Sequence, residues 1–224
     1  MNSSTFTETR DAILARMAAA AQAAGRRAAD ISLIAVSKRQ PDTRIEAALA
    51  AGHRQFGENR VQDAQARWAD RRADMPDLEL RLIGPLQTNK ADAAVALFDV
   101  IETLDREKLA KALRKAMDAS DRHPRLYVQV NTGEEDQKSG IAPRDVAAFL
   151  TRIRDTYALQ MEGLMCIPPF DEPAGPHFAL LADLAAANGL AGLSMGMSAD
   201  YETAIRFGAT SVRIGSALFG PRDT

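Results

Sequence analysis

The sequence is poor in the residues that hold metals, crosslink chains or cross membranes. One cysteine, Cys166, stands among 224 residues, which excludes an intrachain disulfide and suits a reducing compartment. Its three histidines, His53, His123 and His177, are scattered with no metal-ligand spacing. No apolar run is long enough to span a bilayer, and the opening Met1-Asn-Ser-Ser-Thr-Phe-Thr-Glu8 lacks the positive and apolar regions of a signal peptide. Charge of one sign is missing too. Lys and Arg number 28 against 30 Asp and Glu, so no global field recruits nucleic acid or an acidic membrane. What remains is 46% hydrophobic and 26% charged, an ordinary composition with enough apolar residues for a large core. The expectation is a soluble, cytoplasmic chain forming one domain over residues 1–224, with no nucleic-acid or membrane partner.

Against this plain background one lysine is conspicuous. Ile31, Leu33, Ile34, Ala35 and Val36 form a short apolar run rich in β-branched residues, the pattern of a strand buried on both faces of a parallel sheet. Lys38 follows at once, and Pro41-Asp42 signals a helix start. Lys38 is therefore expected at the carboxyl end of a buried strand, where α/β folds bind ligands. Partial desolvation there disfavours the ammonium, and the neutral amine attacks an aldehyde to give a Schiff base. Taken alone, this stretch is explained as well by a lysine whose charge snorkels to solvent.

The rest of the chain alternates. The pattern Thr5-x-x-Glu8 reads as a capping box for an N-terminal helix that Gly25 ends. Strand signals then follow at Arg54–Gly57, Leu78–Gly84, Phe98–Ile101, Leu126–Val130, Met161–Ile167, Leu193–Met197 and Thr210–Gly215. Between them, helices are expected to open at Pro85, behind a cap at Asp105, with Pro143 in a first turn, and behind a cap at Ser198. Eight strands alternating with helices predict an α/β fold, a (β/α)8 TIM barrel with an additional N-terminal helix. A doubly wound open sheet is the alternative, but the first strand lacks a following glycine fingerprint.

Barrels often bind phosphate with the loops after strands seven and eight and nearby helix N-termini. Those loops are here Ser194-Met-Gly196-Met-Ser198 and Arg213-Ile-Gly215-Ser216-Ala217. Glycine lets the backbone approach an anion, and serine hydroxyls donate to it. Capping alone would explain Ser198, and strand termination alone would explain Gly215. In a closed barrel strand eight lies beside strand one, so both loops neighbour Lys38. A reactive lysine beside a phosphate cup points to a phosphorylated aldehyde or ketone, and pyridoxal 5′-phosphate fits the pair. Arg213 alternates with Val212 and Ile214 and so faces the other way, towards the expected barrel mouth. A guanidinium facing a pyridine nitrogen keeps that nitrogen unprotonated and weakens the ring as an electron sink. An ion pair with an acidic neighbour is the simpler account of Arg213.

Several stretches, taken in order, carry a resemblance. They are Leu33-Ile-Ala-Val-Ser-Lys38, Phe56-Gly-Glu-Asn59-Arg-Val-Gln62, Leu82-Ile-Gly-Pro-Leu-Gln-Thr-Asn-Lys90, Val130-Asn-Thr-Gly133 with Lys138-Ser-Gly140, Gly163-Leu-Met165, Leu193-Ser-Met-Gly-Met-Ser-Ala-Asp200, and Val212-Arg-Ile-Gly215-Ser with Phe219-Gly220. Through them the chain resembles the pyridoxal phosphate homeostasis proteins, the YggS and PROSC family, almost from end to end. The resemblance implies a fold-type III barrel like the N-terminal domain of alanine racemase, with pyridoxal 5′-phosphate as an aldimine on Lys38. It implies Ser198, Gly215 and Ser216 as the phosphate cup, Arg213 at the pyridine nitrogen, and Asn59 and Met195 lining the cofactor. Arg81 and Glu102 depart from it, standing where family members often carry histidine at strand ends.

A racemase of this fold needs a base on each face of the bound substrate. In alanine racemases the second base is a tyrosine from a separate C-terminal β-domain. The sequence stops at Thr224, so that domain is not expected here. Tyr127 falls in a strand, Tyr157 and Tyr201 fall on helices, and Cys166 has no histidine near it in sequence. The expected function is therefore a non-catalytic holder that stores, buffers and delivers pyridoxal phosphate, with apo enzymes as recipients and a monomeric state. The alternatives are an amino-acid racemase and a Schiff-base aldolase. Lys138, in the polar loop after strand five, is a candidate to capture the departing aldehyde, although on spacing alone a solvated loop lysine is the better account.

Overall fold

A computed structural model describes residues 1–220. Eight parallel strands close into a barrel in sequence order. They are β1 Ser32–Val36, β2 Gln55–Glu58, β3 Glu79–Leu82, β4 Val100–Leu104, β5 Arg125–Val130, β6 Met161–Cys166, β7 Gly192–Met197 and β8 Ser211–Ile214. The helices among the described residues are α1 Ser3–Ala23, α2 Asp42–Ala50, α3 Val61–Asp74, α4 Ala91–Leu97, α5 Glu107–Ser120, α6 Val146–Tyr157, α7 Ala174–Ala187, α8 Tyr201–Arg206 and α9 Ser216–Phe219. The predicted barrel with its extra N-terminal helix is the observed fold.

Residues in register on neighbouring strands share a face, and this decides what the barrel encloses. Ile34 lies opposite Arg213, Val36 opposite Gly57, Gly57 opposite Arg81, Gln129 opposite Met165, and Met165 opposite Ser194. These residues face inward. The alternate set, with Leu33, Phe56, Leu80, Leu126, Leu164 and Val212, belongs to one apolar layer under the helices. Val100, Tyr127 and Met165 form a separate small cluster inside.

The extra helix has a packing reason. After β8 the described chain offers only the four residues of α9, too little to cover the β8–β1 seam. Helix α1 packs on α2, α8 and α9 instead, burying Phe6, Ile13, Met17, Ala20 and Ala21. The Phe6 ring lies 5.6 Å from that of Phe219.

Several expected boundaries and caps move. Asn2, not Thr5, caps α1, with the Thr5 N–H and hydroxyl both donating to Asn2 Oδ1. Pro85 does not open a helix: a turn at Thr88–Lys90 leads into α4. Asp105 makes no cap bond, because its carboxylate pairs with Arg106 and α5 starts at Glu107. Strand β4 lies later than predicted because Phe98 still donates to Ala94 O of α4, while Glu102 and Thr103 are buried in the strand. Pro143 does begin the turn that leads into α6.

Candidate functional site

Lys38 emerges from β1 just above Val36, partly buried. The residue after it, Arg39, adopts φ +57°, a left-handed conformation uncommon outside glycine. This bend is held from two sides. The Ser37 N–H donates to Gly57 O at 3.1 Å, and its hydroxyl donates to Glu58 Oε1 at 2.7 Å. From α3, Arg67 donates to Ser37 O and Gln40 O, both at 2.7 Å, and to Glu58 Oε1 at 2.9 Å. The Trp68 indole N–H adds a third bond to the same oxygen at 3.1 Å. The strand-to-helix loop that carries the lysine is therefore fixed by a buried carboxylate and a guanidinium fork.

Asn59 follows β2 and shares with Lys38, Arg39, Arg60 and Asp63 a cavity of about 250 Å³. Its Oδ1 is buried with no protein partner. An orphaned buried acceptor costs about 1–3 kcal/mol, so this atom calls for a donor from outside the chain, such as a phenolic hydroxyl or a water. Tight backbone packing aims it: a Cβ on Gly84 would lie 2.3 Å from Asn59 O.

Across the β7–β8 seam, Ser198 and Gly215 face each other. Ser198 does not cap α8, which starts at Tyr201 behind Asp200. Its Oγ instead accepts from the N–H groups of Gly215 and Ala217, both at the long distance of 3.4 Å. Gly215 leads directly into α9 with the exposed Ser216 as its first residue. The rim thus offers backbone donors and two hydroxyls beside β1, the chemistry that an anionic oxygen group takes.

Arg213 is 3% exposed and lies inside the barrel. It donates to Ser194 Oγ at 2.7 Å and to Cys166 O at 2.8 Å. Its strand partner is Ile34, four residues before Lys38, roughly 13 Å along the strand. Met195 is placed otherwise than the resemblance implies. Ser194 faces inward, so Met195 faces outward, fully buried in the apolar layer. A register shift near the left-handed Gly196 sets Met197, not Met195, opposite Arg213.

Comparisons with known proteins agree with this fold. The family model for the alanine racemase N-terminal domain matches residues 10–223. A Pseudomonas aeruginosa protein named pyridoxal phosphate homeostasis protein is 44% identical over 98% of this chain and 97% of its own. The chain belongs to the pyridoxal phosphate homeostasis protein family. PipY of Synechococcus elongatus PCC7942, solved with PLP bound, superposes with a TM-score of 0.76 at 40% identity, covering 85% of this chain and 93% of PipY. An alanine racemase from Bartonella henselae shares the fold at 13% identity and a TM-score of 0.73, and 60% of its length is covered.

Within this family barrel, Arg81 and Glu102 are explained as a pair. Arg81 Nη1 donates to Glu102 Oε1 at 3.1 Å, and Arg81 Nε donates to Glu79 Oε1 at 2.7 Å. Burial works to lower the Arg81 pKa, but Glu102 and Glu79 outweigh it and raise the value above the ordinary one. The tyrosines lie away from the mouth. Tyr127 donates its hydroxyl to Glu162 at 2.9 Å, and burial, with Glu162 second, raises its pKa. Tyr201 lies buried beneath the Arg16 guanidinium, and Tyr157 packs on the apolar layer. Burial pushes the Cys166 thiol up to about 12, which makes it inert. Lys138 Nζ donates to Pro168 O at 3.3 Å and pairs with Glu135. It lines a second cavity of about 280 Å³ that shares Asn59 with the Lys38 cavity. Among the described residues no cluster of His, Cys, Asp and Glu could hold a metal ion, and no helix is long and apolar enough to cross a membrane.

Sequence reasoning missed Glu58 and Arg67. The only local signal was an acidic residue directly before Asn59; the arginine comes from a helix face that nothing in the sequence ties to the lysine.

Proposed function

We propose that this chain holds pyridoxal 5′-phosphate covalently on Lys38 and stores, buffers and delivers it without acting as a catalyst. The carrying observation is the juxtaposition of Lys38, the orphaned Asn59 Oδ1 and the Ser198–Gly215–Ala217 donor cluster at adjoining strand ends. When bound, the cofactor supplies an electrophilic aldehyde carbon and a ring able to accept electrons. Lys38 offers the amine, and Ser198, Gly215 and Ser216 take the phosphate. Asn59 meets a polar substituent of the ring, and Arg213 approaches its nitrogen from below, while Met197 takes the lining role first given to Met195. Arg213 there disfavours a proton on the ring nitrogen, so the bound ring is a poor electron sink. That suits custody better than carbanion chemistry. The placement of the three tyrosines, none on the loops that carry Lys38, Ser198 and Gly215, supports the same choice over a racemase. In this reading the protein works as a cytoplasmic monomer, and apo forms of cofactor-dependent enzymes are the recipients.

The test is the visible spectrum of purified protein, repeated on Lys38→Ala and followed by borohydride reduction and peptide mapping. A coloured wild type, a colourless variant and a reduced adduct at Lys38 are expected. A colourless wild type after incubation with the cofactor would overturn the reading. Solvent deuterium entering the α-carbon of alanine faster than with free cofactor would replace the carrier by a racemase.

A further inference from the structure

We infer that Glu102 is a positioning residue for Arg213, acting through the Ser194 hydroxyl and supplying the counter-charge of the guanidinium beneath the cofactor. This rests on the reading that the mouth holds pyridoxal phosphate. Glu102 is 0% exposed and lies at the centre of the barrel. Its Oε2 accepts the Ser194 hydroxyl at 2.6 Å, and the Ser194 oxygen accepts from Arg213 Nη1 at 2.7 Å. A hydroxyl has one proton, and a carboxylate at this distance takes it. The serine therefore presents only lone pairs to Arg213, and the relay has a single polarity. Together with the bond from Arg213 Nη2 to Cys166 O, it sets the plane of the guanidinium.

The charges are uneven around this relay. Glu102 is flanked by two cations, Arg81 directly and Arg213 through the serine, with Glu79 beyond Arg81. The other titratable groups around it are Tyr127 of β5 with Glu162, Cys166 of β6, and Lys38 at the mouth. Without Glu102 the interior keeps Arg213 as an unneutralised charge under the ring. The Ser194 hydroxyl also loses the acceptor that fixes its proton, so the lone pairs it turns towards Arg213 are no longer held in place.

The experiment uses full-length protein loaded with pyridoxal phosphate, titrated by visible absorption, with the apo form unfolded in parallel. In Glu102→Gln the added positive potential disfavours protonation of the bound cofactor, so the titration midpoint falls by about one pH unit, a tenfold change in proton affinity. Glu102→Asp restores most of the wild-type midpoint because the charge remains. Since Gln at this site leaves Arg81 with Glu79 alone and can fail to fold, the double variant Arg81→Met/Glu102→Leu serves as a second probe. Apolar replacement of a whole buried pair is commonly tolerated; because loss of Arg81 offsets much of the lost negative charge, a smaller fall in midpoint in the same direction is expected. If the variants load and titrate as wild type while only the apo unfolding midpoint moves, Glu102 is purely structural and the inference is overturned. A wild type with no visible band overturns the cofactor reading itself, and this inference with it.

Discussion

Replacing Arg67 by alanine tests whether the loop bearing Lys38 is held from α3. Arg67 is 16% exposed and Glu58 1%, so this is nearly a buried ion pair. The substitution removes bonds to Ser37 O, Gln40 O, Glu58 Oε1 and Asp42 Oδ1. Glu58 then keeps only the Ser37 hydroxyl and the Trp68 N–H, while its Oε2 already has no partner. Stripping one member from a buried pair costs about 3–5 kcal/mol, and the partial exposure of Arg67 places the loss near about 3. The Asp42 contact, with that carboxylate 65% exposed, adds little. At about 2–4 °C per kcal/mol for a chain of this size, the apo protein should unfold roughly 6–12 °C earlier. The two freed carbonyls flank Lys38, so cofactor release should also quicken. Thermal unfolding by circular dichroism and loss of the visible band on dilution measure the two effects. A shift below about 2 °C with an unchanged release rate would refute the reasoning. Arg67→Lys sharpens the result, because a lysine keeps the charge but cannot fork between two carbonyls.

Ser198→Ala should weaken pyridoxal phosphate roughly tenfold to a hundredfold, the worth of one hydrogen bond to a charged group. Pyridoxal, which lacks the phosphate, should bind as before; an equal loss for both ligands in an absorbance titration counts against the phosphate cup. Gly84→Ala would push a methyl into Asn59 O at 2.3 Å, an overpacking of about 1–3 kcal/mol that should lower both Tm and cofactor affinity. Unaltered values for both would show that the backbone there yields freely. Burial holds His53 down at about 4, with Nε2–H donating to Gln55 O. Its folded pKa lies below its unfolded one, so the unfolded chain binds the extra proton. Stability present above about 6.5 is then lost as pH falls towards about 4, by up to about 1.4 kcal/mol per unit. His53→Gln should flatten that slope in urea midpoints, and coincident slopes would remove His53 as its source.

What could be read in advance follows from how local each signal is. Strands buried on both faces must be apolar throughout, so β1 and β6 stand out in the sequence, and alternation alone turned Arg213 inward. Strand β4 was misplaced because part of it is polar: Glu102 is buried against Arg81 and Ser194, which come from other strands. Caps failed for a related reason. Several small polar residues compete for the same amides, so Asn2 displaced Thr5, and the amides of another strand's loop claimed Ser198. Lys38 was legible as a lysine at a strand end, whereas the clamp around it was not. Arg67 lies nearly thirty residues away, and only the pairing of β1 with β2 brings it to Ser37.

The long bonds at Ser198 bear on how such a protein lets go. At 3.4 Å the hydroxyl satisfies the Gly215 and Ala217 amides only weakly, yet it satisfies them. The amides at this rim therefore have a partner within the chain. On the proposed reading, a phosphate arriving there would exchange these weak partners for stronger ones, and on leaving would return the amides to the serine. Such an exchange would let the site fill and empty without dismantling the rim. A reservoir needs that reversibility; an enzyme that keeps its cofactor through every turnover does not.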